Sequence, residues 1–135
     1  MNTNSKTTEM GTKVKLSTLW IVVMFNMVFA DILSFMKPEF LKGLMAGTLM
    51  PFQPTQEFWL VMAIFLEIPI AMILLSRGLK YKANRWANII ASAITIMFVV
   101  GGGSPDLHYI FFATVEVVCM LLIVWYAWKW RNSED

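Results

Sequence analysis

The chain has 135 residues, of which 58% are hydrophobic and only 15% charged, against about 45–50% apolar and about 25% charged for a soluble domain. One small domain cannot hide that much apolar surface in a core, so the surplus must face lipid or other subunits. The net charge of +2, from scattered basic residues, excludes a nucleic-acid groove. A single cysteine, Cys119, excludes an internal disulfide and any multi-cysteine metal site.

In chain order, a polar tail over 1–15 carries Lys6, Lys13 and Lys15, and no cleavage signature follows it, so the first apolar run is expected to stay as an uncleaved anchor. Four spans are predicted, at about 16–36, 58–76, 86–102 and 107–128, followed by a second tail over 130–135. A 19-residue helix covers about 28 Å, close to the hydrocarbon thickness. The third span is the shortest and needs Arg85 and Trp86 at the headgroups. Between the first two spans, Phe40, Leu41, Leu44 and Met45 recur at helical spacing until Pro51 and Pro54, which predicts a short outer amphipathic helix. Gly101-Gly102-Gly103-Ser104-Pro105 forms a breaker cluster, and Pro105 with Asp106 suits the first turn of the last helix.

Positive charge is retained on the cytoplasmic side. Nine of the eleven basic residues fall in the two tails and the Arg77 to Arg85 loop, leaving Lys37 and Lys42 outside. That bias places both termini in the cytoplasm, which requires an even number of spans. Trp125, Tyr126, Trp128 and Trp130 form an aromatic belt at the cytoplasmic exit. The fold class is therefore all-α: an antiparallel four-helix transmembrane bundle with a short outer helix, in a bacterial cytoplasmic membrane.

Three of the nine acidic residues, Asp31, Glu67 and Glu116, fall inside the spans, with Asn26. A carboxylate at a helix centre costs about 2.5–3.5 kcal/mol on insertion scales, so all three are expected to face inward. Glu67 and Glu116 each lie about 13 Å below the outer surface, with Asn26 level with them and Asp31 about 8 Å deep. His108 stands at the mouth. Paired in low dielectric, the two glutamates cannot both ionise and make a ready proton site. The same pair could instead be helix glue.

Ala63, Glu67 and Ala71 form a small-residue stripe suited to close helix packing. Asn26 and Asp31 are about 140° apart on their helix, so one of them could serve a subunit contact. Pro69 removes a backbone donor two residues after Glu67 and is read as a hinge. Asn88, Ser92 and Thr95 are expected to bond between helices. The lone histidine and the absence of Glu-x-x-His pairs argue against a metal site, and no catalytic motif is present.

The segments Ala30 to Met36, Glu67 to Arg77 and Arg85 to Ile90 resemble a family of small bacterial four-span membrane proteins of no assigned function, similar in layout to DoxX-like proteins. Some DoxX-like members accompany quinone-linked respiratory enzymes, so the resemblance implies a quinone-interacting or redox subunit as one alternative. No haem or thiol pair in the sequence supports it. The leading expectation is a non-enzymatic, homo-oligomeric membrane protein whose outward-opening carboxylate pocket handles a small cationic or neutral solute with protons and needs no cofactor. A structural accessory subunit with no ligand is the other alternative.

Overall fold

The computed structural model describes residues 3–130 and contains five helices and, among the described residues, no strand. They are α1 (Thr3–Phe35), α2 (Pro38–Ala46), α3 (Gln56–Gly78), α4 (Tyr81–Gly101) and α5 (Leu107–Lys129). All but α2 are long and apolar enough to cross a membrane. Of the C-terminal tail expected over 130–135, everything past Trp130, including Arg131, lies outside the described residues, as do residues 1–2.

Three boundaries differ from the sequence reading. Residues 3–15 are helical and run into the first span without a break. Local bonding favours this: the Thr7, Thr8 and Thr12 hydroxyls each donate to the carbonyl four residues back, and Lys13 pairs with Glu9 at 3.7 Å. Helix α4 starts at Tyr81 rather than Trp86, which gives the shortest span about 31 Å of helix. Asp106 is the residue before α5 rather than part of its first turn, and its side chain does not cap the helix.

The outer helix forms where its spacing predicts it. Pro38 occupies its first turn, where a missing N–H costs nothing, and Gly47 closes it in the left-handed region at φ 71°. None of its residues is buried. It rests on the end of α1, with Phe40 edge-on to Phe35 at 5.6 Å. Thr55 caps α3 by accepting from the Phe58 N–H at 3.2 Å.

The four long helices close a ring in which α1 and α4 each pack against both α3 and α5. The core contains Leu16, Trp20, Val23, Met72, Val99, Met120 and Ile123. It also contains a hydrogen-bonded cluster. Asn88 Oδ1 accepts from Trp20 Nε1 at 2.8 Å and from Ser76 Oγ at 3.1 Å, while Asn88 Nδ2 donates to Asn84 Oδ1 at 2.6 Å. Asn84 Nδ2 donates to the Ser76 carbonyl at 2.7 Å. One level nearer the Arg77 end, Ser17 donates to the Ile73 carbonyl at 2.8 Å and accepts from Arg77 Nε at 3.1 Å. Arg85 holds the end of α5, donating to the Ala127 and Trp128 carbonyls at 3.0 Å each. Trp130 is buried against Tyr81, whose hydroxyl donates to the Trp130 carbonyl at 2.7 Å, so it belongs to this seam rather than to the belt.

The opposite end is tied more lightly. Ser34 Oγ lies 3.0 Å from His108 Nε2, and Lys37 meets Asp106 at 2.8 Å. The Lys37 ammonium and the Ser104 hydroxyl hold the Asp106 carboxyl below the usual carboxylate range.

Removing Asn88 strands the buried donors of Trp20 and Ser76. Asn88→Leu should therefore lower stability by about 1–3 kcal/mol in denaturant titrations in detergent, and Ser76→Ala by less, since Asn88 Oδ1 keeps its bond from Trp20. Because the Asp106 carboxyl is lower in the folded protein than in the unfolded chain, the stability it adds is present above the ordinary carboxylate value of about 4 and is lost as pH falls below it. The melting temperature of the wild type should exceed that of Asp106→Asn at pH 7, and the gap should close in acid.

Candidate functional site

The inner side of the bundle at the His108 end holds a cavity of about 520 Å³, lined from all five helices. Asp31 and Ser34 come from α1, Phe40 from α2, Leu66 from α3, Phe98 and Val99 from α4, and Tyr109 and Glu116 from α5. The linings of Gly101, Gly102 and Ser104 carry it to the connection between α4 and α5. The volume is that of a small-molecule site. No lysine or arginine lines it.

The helical period explains which side chains arrive there. On α5, Tyr109 and Glu116 are seven residues apart, two turns on one face, and the buried Cys119, Met120 and Ile123 continue that face. On α1, Met27, Ala30, Asp31 and Ser34 sit on the stripe that continues from buried Trp20 and Val23. Asp31 lies one turn from Ser34 and so about 5 Å further in than the His108 contact. Glu116, eight residues past His108, lies about 12 Å in. Asp31 is exposed, whereas Glu116 is 3% exposed and its Oε1 has no hydrogen-bond partner. The two acids thus mark an upper and a lower level of one cavity.

Glu67 is not there. It is exposed on α3, about 140–160° around the helix from the buried Met72 and Pro69. The structure therefore does not bring Glu67 and Glu116 together, since Glu67 points out of the bundle. Leu66 takes its place in the lining, and Asp31 is the acid that shares the cavity with Glu116. Of the expected small-residue stripe, Ala63 is exposed and Ala71 half-buried, so the stripe faces outward with Glu67. Asn26 also lies outside the cavity, half-exposed, with its Nδ2 donating to the Val22 carbonyl at 2.7 Å. His108 is half-buried at the rim and touches the site through Ser34.

Pro69 is buried inside α3, which continues through it from Gln56 to Gly78. Asn88 bonds across helices as expected, but Ser92 and Thr95 do not. Both are buried on the same face of α4, and their hydroxyls find no partner among the described residues. Thr95 lies one turn from Val99 in the cavity lining. The paired positions Arg85 with Ala127 and Gly103 with Tyr109 set the register of α4 on α5 and put Thr95 level with Glu116.

Two contributors were missed in the sequence. Tyr109 carried a usable signal, its seven-residue spacing from Glu116. Phe40 did not, since its place depends on how α2 folds back on α1. A second hollow, about 610 Å³, lies along α4 and α5 among Val100, Ile110, Ala113, Val117 and Val118, and contains no ionisable side chain except Tyr109 at its edge. Among the described residues no three His, Cys, Asp or Glu side chains gather as metal ligands would. What the cavity offers is two acceptor-only carboxylates at different depths, a tyrosine, two serines and apolar walls.

No curated protein and no solved structure matches the chain significantly. Residues 7–135 match a family of unknown function, DUF6326, and the chain belongs to that family.

Proposed function

We propose that this multi-pass membrane protein binds a small cationic or neutral solute in an outward-opening cavity and couples it to protons through Asp31 and Glu116. The observation that carries the reading is that these two acids line one cavity that contains no basic side chain. Carboxylates that share a cavity attract a cation or a proton there, so protons and solute compete for them. Intramembrane acids that face a cavity are characteristic of proton and solute pathways.

The bias of basic residues supports a bacterial cytoplasmic membrane with both termini inside, so that the His108 end faces out. An antiparallel bundle is supported by the opposed order of contacts between α3 and α4, where Phe65 stacks on Phe98 at 5.8 Å and Ser76 bonds to Asn88. Pro69 is the place where α3 would bend as the cavity opens and closes, since the proline leaves the Phe65 carbonyl without its usual partner.

The outward Glu67 supports a homo-oligomer. Glu67 stands eleven residues from either end of α3, at the depth where an acid facing lipid costs most. A second copy in the same orientation presents its own Glu67 at that depth, and two carboxyls sharing a proton satisfy each other. Ala63 and Ala71, one turn to either side, allow the helices to approach closely.

Two experiments follow. In proteoliposomes with a trapped pH-sensitive dye, proton flux under an imposed potential should fall at least about tenfold in Glu116→Gln and in Asp31→Asn, equivalent to about 1.4 kcal/mol of barrier. The infrared band of protonated carboxyls should shrink in the same variants. Flux and band unaffected by both substitutions, in protein that melts like wild type, would overturn the reading. For the oligomer, single cysteines at Ala63 or Ala71 in a Cys119→Ser background should cross-link between copies, while one at Leu121, exposed on α5, should not. Equal yields at all three positions would rule out the Glu67 face as the contact.

A further inference from the structure

The cavity's lining also indicates what kind of solute it takes, and this step rests on the reading above. Glu116 lines the cavity, and its buried Oε1 finds no hydrogen-bond partner among the described residues. Such an atom is rare in a folded protein and calls for a donor from a ligand or water. Thr95, level with it on α4, has a buried hydroxyl in the same condition. Asp31 nearer the rim adds a second carboxylate, and no lysine or arginine lines the cavity to neutralise either one. The charge balance favours a cation and opposes any anion, whose carboxylate or phosphate would meet two acids in low dielectric.

The walls narrow the class further. Most of the remaining lining is thioether, hydrocarbon and ring, among it Met27, Leu66 and Phe98. A bare metal ion or a small hydrated cation would lose its water against such walls and regain little. An organic cation fits both parts. Its hydrocarbon or aromatic body is removed from water against Met and Phe side chains, and its charge lies near the Phe98 and Tyr109 rings, which attract cations. Its N–H groups supply the donor that Glu116 lacks. A primary ammonium has three such donors, while a carboxylate is acceptor-only.

We infer that the cavity binds a lipophilic organic amine, its ammonium seated on Glu116, its apolar body against Met27, Leu66 and Phe98, with Asp31 attracting the cation at the rim. Binding one monovalent amine leaves the second acid to a proton, which provides the link to proton movement.

The test uses the full chain in nanodiscs and three probes of matched size: 2-phenylethylamine, 2-phenylethanol and 3-phenylpropionate. Binding is measured by equilibrium dialysis of labelled probe to wild type and to the Asp31→Asn, Glu116→Gln double variant, with protein-free vesicles of the same lipid as the blank for partition. The amine should bind about tenfold or more tightly than the alcohol, and the carboxylate should not exceed the blank. Glu116→Gln should weaken the amine by about tenfold or more, and leave the alcohol nearly unchanged. Asp31→Asn should weaken it by a smaller factor and slow its association, as expected for a charge that steers from the rim.

Equal binding of amine and alcohol, or amine binding by the double variant equal to that of wild type, would overturn the inference. Melting curves of each variant separate loss of the site from loss of the fold. The outcomes also separate this inference from the reading beneath it. Proton flux that depends on Glu116 without amine selectivity removes the amine and keeps the proton site. Amine selectivity without Glu116-dependent flux keeps the binding site and removes the coupling.

Discussion

Asn88 holds three of the four membrane helices through one side chain. Its carbonyl oxygen accepts from Trp20 on α1 and Ser76 on α3, and its amide reaches Asn84 on its own helix. In hydrocarbon the association of apolar surfaces gains little, because lipid is as apolar as leucine, so polar contacts and close packing decide which faces meet. An acceptor shared by two donors from different helices fixes the rotation of all three about their axes. Helix α5 is then fastened by Arg85 to the carbonyls of Ala127 and Trp128 and by Tyr81 to that of Trp130. These carbonyls belong to the last turn and its flank, where no intrahelical partner remains.

All of these bonds lie at one end, and that asymmetry shapes the other. Toward His108 the polar links reduce to Ser34 with His108 and Lys37 with Asp106, the latter an exposed pair of modest worth. The cavity lies there, with Ala30, Ser34, Gly101 and Gly102 in its lining beside larger residues such as Leu66, Phe98 and Tyr109. Between the fastened end and the cavity, α4 presents Ser92 and Thr95, buried and unpaired. Replacing them with alanine and valine would make an apolar core at no hydrogen-bonding loss within the chain. The two hydroxyls extend the polar face of α4 from Asn88 toward the cavity wall at Val99, a pattern that a sealed apolar bundle does not need.

The sequence made the fold legible because its signals were redundant. Length, hydropathy and the placement of Arg77, Lys80, Lys82 and Arg85 each demanded the same spans, and the spacing of Phe40, Leu41, Leu44 and Met45 marked α2. Position along a helix was legible for the same reason, since rise per residue is fixed. Azimuth was not. A single helix that is apolar all round, as α3 is, carries almost no amphipathic phase to tell which side faces its neighbours. The cost of placing an acid in lipid was allowed to supply that phase for Glu67, and it gave the wrong face.

The failure is instructive about the constraint itself. The cost of an intramembrane acid requires that it be shielded, but it does not say by what. Glu116 meets that requirement inside its own chain, buried at the cavity, whereas Asp31 lines the same cavity but stays exposed and Glu67 is exposed on α3. For α5 the face could be read from sequence, because Tyr109, Phe112, Glu116 and Cys119 repeat at three, four and seven residues and agree on one side. On α3 the buried side is marked by Pro69, Met72 and Ser76, of which only Ser76 is polar, and its significance appears only once Asn88 is seen to accept from it. A polar residue at a helix end that satisfies a neighbour is thus a better guide to the inner face than a charged one at the centre, which can be satisfied from either side.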